Sequence, residues 1–80
     1  MIEFNSNWNF KEVIENLKTL KTYYDEVLSS FYYFDLRKLI KFKKKMRDSV
    51  YSLNLQEWQK DKIWNYMNGY ECYEELVKFI

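Results

Sequence analysis

The densest chemistry in the chain is Lys41-Phe42-Lys43-Lys44-Lys45-Met46-Arg47, where five of the thirteen basic residues fall in seven positions. Lysines packed this closely neutralise phosphates without reading sequence, so the run suits non-specific contact with a polyanion. Recognition of base edges asks for Arg, Asn or Gln, and the wider run offers only Arg37 and Arg47. Other chemistry is thinly supplied. The chain has no histidine, which removes the commonest general base and the commonest metal ligand. Cys72, the only cysteine, has no His partner to activate it and is expected to be a small buried hydrophobe. With one glycine there is no Gly-rich loop to cradle a phosphate. The adjacent carboxylates Asp25-Glu26 and Glu74-Glu75 point about 100° apart on a helix and do not converge on a substrate. The expectation is a non-enzymatic protein with no catalytic residue, cofactor or metal.

Whatever positions the basic run must be small. Eighty residues make one domain, and a chain of this size buries only about 60–65% of the surface its unfolded form exposes. Aromatic residues, 21% of the chain, can close such a core with few side chains, each burying roughly 150–250 Å². The net charge of +1 hides a segregation. Residues 1–34 sum to −2, residues 35–47 to +6 and residues 48–80 to −3. A basic wedge between acidic flanks can satisfy itself internally or bind an external polyanion. The acidic flanks disfavour a helix lying on an anionic membrane. No signal-peptide pattern opens the sequence and no apolar run approaches a membrane span, so the expected location is cytoplasmic. The single cysteine agrees with a reducing compartment. The abundance of Lys, Asn, Tyr, Ile and Phe is what AT-rich coding produces, as in low-GC bacteria and their phages.

Without proline, helix boundaries must be read from caps and phase. Asn9 and Glu12 have capping-box spacing, with Trp8 placed to staple onto Val13. Asn54 and Glu57 repeat it, with Leu53 placed to staple onto Trp58. Asp35 is a candidate N-cap, with Phe34 able to staple onto Leu39. Gly69 suits the left-handed position that ends a helix. These marks predict an all-α, compact bundle of three to four helices, about 9–30, 35–52, 55–68 and 71–80, with a short N-terminal arm. The first helix is the most regular, with apolar residues at 10, 13, 14, 17, 20, 24, 27, 28 and 31.

On a helical wheel the second helix gathers Leu36, Leu39, Ile40, Phe42, Met46, Val50 and Leu53 on one arc, predicted as its core side. Arg37, Lys38, Lys41, Lys44 and Lys45 fall opposite, as a solvated face or a polyanion-binding one. Lys43 and Arg47 fall on the apolar side. Either their stems cover the core margin while their heads pair with Glu12, Glu15, Glu74 or Glu75, or the arc beside them is a mixed contact surface.

In the third helix Leu55, Ile63, Tyr66, Met67 and Tyr70 share the expected core face, and Trp58 and Trp64 lie off it. The two tryptophans belong either to a second buried face or, with Tyr23, Tyr32 and Tyr33, to an aromatic partner surface. Tyr and Trp beside Lys could also stack on unpaired bases. The stretch Lys62–Leu76, "KIWNYMNGYECYEEL", resembles the first part of the helix-turn-helix in sigma-factor region four. That resemblance covers fifteen residues and implies an αα-corner; the recognition helix that follows in the family has no counterpart before Ile80.

The leading expectation is a protein that binds another protein through Trp58, Trp64, Tyr32, Tyr33, Lys43 and Arg47. A phage or mobile-element inhibitor or modulator of a host nuclease complex, of the anti-CRISPR type, or of a polymerase would fit this class. The alternative is a nucleic-acid-binding regulator using Arg37, Lys38, Lys41, Lys44 and Lys45. A homodimer joined through Trp58 and Trp64 is a third reading.

Overall fold

The computed structural model of the chain describes residues 3–80, so Met1 and Ile2 of the predicted arm lie outside it. Among the described residues all regular structure is α-helical: α1 (Phe10–Phe34), α2 (Leu36–Tyr51), α3 (Glu57–Met67) and α4 (Tyr73–Val77). α1 has 25 residues, a length of about 37 Å at 1.5 Å per residue. That nearly equals the 38 Å long axis of the molecule, so α1 is the spine on which the other helices pack.

The caps at the start of α1 form as the sequence predicts. Asn9 Oδ1 accepts from the Glu12 amide at 2.8 Å, and Glu12 Oε1 accepts from the Asn9 amide at 3.1 Å, satisfying two of the donors a helix start leaves free. Trp8 packs against the core. α1 runs four residues beyond the predicted end, through Tyr32-Tyr33-Phe34, because the turn residues of Ser29-Ser30 are followed by nothing that breaks a helix. Asp35 alone separates α1 from α2. Its amide donates to Phe31 O at 2.7 Å, and its carboxylate accepts from the amides of Arg37 and Lys38. One residue therefore closes one helix and caps the next. Phe34 remains exposed, so the staple expected onto Leu39 does not bury it.

The cap expected at Asn54 does not form. The Asn54 amide is directed to Ser6 O in the N-terminal arm at 3.4 Å, and Leu55 N–H donates to Leu53 O. The chain is thus held in a turn, and α3 starts at Glu57, where Gln59 Oε1 accepts from the Gln56 amide at 2.9 Å. Its far end follows prediction. Gly69 takes φ +82°, its amide donates to Tyr66 O and that of Tyr70 to Asn65 O, the paired bonds of a Schellman ending.

The core is α1's apolar face, Phe10, Val13, Ile14, Leu17, Leu20 and Tyr24, closed by Met46, Val50 and Leu53 from the second helix and its end, Ile63, Tyr66 and Met67 from the third, Leu76 from the fourth and Phe4 from the arm. Cys72 is exposed at the N-cap of α4, not buried, because Leu76 alone of that short helix fills the core position. Tyr70 also leaves its expected core face, since α3 ends at Met67 and the helical phase is lost before Tyr70.

α2 departs furthest from the pattern its apolar arc predicts. Leu36 and Ile40 are 59% and 66% exposed, although the wheel puts them on the apolar arc. That arc spans about 160°, wider than the roughly 100° stripe a surface helix needs to bury. The buried half is the one carrying Leu39, Phe42, Met46, Val50 and Leu53. Phe42 decides which half wins: its ring meets Tyr23, Tyr24 and Phe31 of α1 at centroid distances of 6.0, 5.8 and 6.0 Å.

Two leucines of that single predicted arc are therefore expected to behave oppositely. Leu53→Ala, at a buried site, should cost about 2–5 kcal/mol, whereas Leu36→Ala should stay within about 0.5 kcal/mol of the parent. Urea unfolding followed by circular dichroism measures both.

Candidate interaction surface on the second helix

With α2 held in this roll, its outer side carries Leu36, Ile40, Lys43 and Arg47 at i, i+4, i+7 and i+11, one continuous stripe about 17 Å long. All four are exposed. Ile40, Lys43, Lys44 and Arg47 line a shallow depression of about 290 Å³. Lys43 also borders a second depression of similar size with Trp64, Asn65, Asn68 and Tyr70. At the stripe's N-terminal end the chain brings up Tyr32, Tyr33 and Phe34, all strongly exposed, with the two tyrosine rings edge to face at 5.4 Å.

Among the described residues the cations of α2 form no ion pair. Ion pairs among the described residues are Lys21–Asp25, Lys60–Glu57, Lys62–Glu71 and Lys78–Glu75. None includes Arg37, Lys38, Lys41, Lys43, Lys44, Lys45 or Arg47. The pairing of Lys43 and Arg47 with Glu12, Glu15, Glu74 or Glu75 is therefore not made. Glu12 is committed to its cap and Glu75 to Lys78. The basic wedge does not neutralise itself against the acidic flanks, and its field faces outward.

The two tryptophans part company. Trp64 is half-buried, its ring against Tyr24 at 5.8 Å, leaving one side toward Lys43 across the depression. Trp58 is 45% exposed and belongs to a separate cluster between Phe10 and Phe79, at 6.1 and 5.2 Å. The structure thus brings Trp64 together with Lys43 and the α2 stripe and does not bring Trp58 to it. Arg37, Lys38, Lys41 and Lys45 lie around the helix from the stripe, with Lys44 between the two sides. Sequence reading missed Leu36 and Ile40 as surface residues; a signal was available in the excess width of the apolar arc.

Behind this surface lies a polar frame. Tyr24 Oη donates to Asn68 Oδ1 at 3.2 Å, and Asn68 Nδ2 donates to Trp64 O at 2.9 Å, tying α1 to the end of α3. Tyr51 Oη donates to Asp61 Oδ1 at 2.6 Å. Lys60, 8% exposed, reaches Glu57 Oε1 at 2.8 Å and Tyr51 O at 3.4 Å, closing the α2–α3 corner. Lys60 was not anticipated, though it precedes Ile63 and Met67 in the core register; its aliphatic stem fills the position while its head reaches polar partners. Tyr73 Oη donates to Ile14 O at 3.2 Å, and Lys18 Nζ lies 4.4 Å from the Tyr73 ring centre, which pins α4 to α1.

Among the described residues no cluster of three or more metal-ligating side chains occurs. No helix among them is long and apolar enough to cross a membrane. Comparison with protein-family models, curated proteins and solved structures finds no match.

The frame gives the fold a pH signature. Burial, then the charge of Asp25, pushes Tyr24 up to about 12. The hydrogen bond to Asp61, then burial, does the same for Tyr51. Burial also raises Tyr66. A phenol whose folded pKa exceeds its unfolded value of about 10 stabilises the fold fully below pH 10, and that contribution is lost as pH rises through about 12. Thermal stability should therefore fall across that window in step with tyrosinate absorbance. Tyr51→Phe, having no proton to lose, should lower stability at neutral pH and shrink the alkaline fall.

Proposed function

We propose that this protein is a non-enzymatic binding module that docks onto another protein through the outer side of α2 and the α1–α2 corner. The observation that carries the reading is Leu36 and Ile40 standing in solvent beside the unpaired Lys43 and Arg47. Leu36 and Ile40 on α2, with Tyr32, Tyr33 and Phe34 exposed at the adjoining end of α1, supply apolar surface of the kind that partners cover. Tyr and Arg are the residue types in which binding energy concentrates. The stripe combines an apolar half with a cationic half, so the fitting partner surface pairs an apolar groove with carboxylates.

Inhibition or redirection of a larger machine, such as a nuclease complex or polymerase, in a phage or mobile-element setting, is the role proposed for it, with the cytoplasm as the place. Trp64 contributes from across the Lys43 depression. Trp58, in its separate cluster, is assigned no part in this docking.

The test is affinity capture from a host-like lysate treated with nuclease, comparing the parent with Tyr33→Ala, Ile40→Ala and Trp58→Ala. A discrete protein should be retained by the parent and by Trp58→Ala, and lost by at least about tenfold in the other two, the effect of removing a residue worth about 1.4 kcal/mol or more. Equal retention by Ile40→Ala and the parent would contradict the reading. So would sedimentation showing that the stripe is covered by a second copy of the chain.

A further inference from the structure

On the opposite side of α2 from the stripe, the N-terminal arm and the helix enclose an open cleft of about 490 Å³. Lys41, Lys44 and Lys45 line it from the helix, and Phe4 and Ser6 line it from the arm. We propose that this cleft contacts the sugar-phosphate backbone of a nucleic acid. The inference goes beyond the protein-docking reading, since it concerns a different face and a different class of partner.

The cleft's own composition separates it from the stripe. Its cations are all lysines, compact charges that suit phosphates at variable positions and are depleted in protein interfaces. It exposes no counterpart of Leu36 or Ile40: its apolar member, Phe4, is buried and serves as the floor. That floor is held in place by the Asn54 amide, which donates to Ser6 O.

The remaining polar groups leave the lysines as the effective donors. Ser49 and Ser52 donate their hydroxyls to Lys45 O at 3.0 Å and Asp48 O at 2.7 Å, within the helix. Asp48 also lines the cleft and opposes an anion, but it forms no ion pair with any of the three lysines. The balance is three ammonium groups against one carboxylate. Arg37 and Lys38, on the preceding turn, extend the cationic run to five groups and allow backbone contact to continue past the cleft. No group there is poised to read a base edge, so binding is expected to be insensitive to sequence.

The experiment is fluorescence anisotropy of the purified protein with a labelled DNA duplex, an RNA duplex and a single strand, titrated across salt. Three to five phosphate contacts predict a log–log slope of about −2.7 to −4.5 on a DNA duplex. Lys41→Gln with Lys45→Gln should flatten that slope by about 1.8 and weaken binding at least about tenfold at low salt. Both lysines are exposed, so circular dichroism and Tm should match the parent. Leu36→Ala with Ile40→Ala should leave the slope unchanged. Which of the three probes binds most tightly identifies the backbone preferred. The proposal is overturned if none binds in a salt-dependent manner, if the double lysine variant keeps the parent's slope, or if polyglutamate binds while every oligonucleotide fails.

Discussion

The ring of Phe42, clamped among Tyr23, Tyr24 and Phe31, sets the roll of α2, and most else follows from that roll. A helix with too many apolar positions has more than one face it could bury. Aromatic packing of this kind adds roughly 0.5–1.5 kcal/mol per pair beyond the area removed from water, enough to select one face over another that differs by a few methylenes. Burying Phe42, Met46, Val50 and Leu53 leaves Leu36 and Ile40 outside. It also turns Lys43 and Arg47 away from the core margin, where acids of other helices could have met them.

Tyr24 supports the clamp from below. It is almost wholly buried, stacks on Phe42, meets Trp64 and donates to Asn68. Three helices therefore meet at one side chain, and Trp64 is drawn toward the core by the same contact. The Lys60 and Tyr51–Asp61 bonds then close the α2–α3 corner. In a domain this small, a few large aromatic residues supply the core that many aliphatic residues would supply in a longer chain. The cost is directional: aromatic rings fit in few orientations, and the orientation adopted here places seven cations on the outside with no ion pair among the described residues.

What the sequence made legible were features governed by local chemistry. Asn9 with Glu12, Asp35 and Gly69 each act through backbone groups a few residues away, and each is found where spacing placed it. α1 was equally plain, because one face is apolar over its whole length. Features decided by distant contacts were not legible. The cap expected at Asn54 is absent, and the Asn54 amide donates to Ser6 O of the arm, a residue far away in sequence. Cys72 and Tyr70 fall where a helix ends, so their phase carries no information. The surface position of Leu36 and Ile40 depends on Phe42 finding its three partners on α1. Of the candidate site, the cations were visible as a cluster, but their lack of internal partners and their division between a stripe and a cleft required the packing.

Both proposed contacts depend on which side of α2 meets water, and methyl NMR with a soluble paramagnetic probe measures that directly. Leu36 and Ile40 methyl signals should broaden strongly, while those of Val50 and Leu53 stay sharp. If Leu36 and Ile40 were as protected as Leu53, α2 would be rolled the other way or covered. In either case the stripe could not be a free docking surface, and in the first the lysine cleft would lose its structural basis as well.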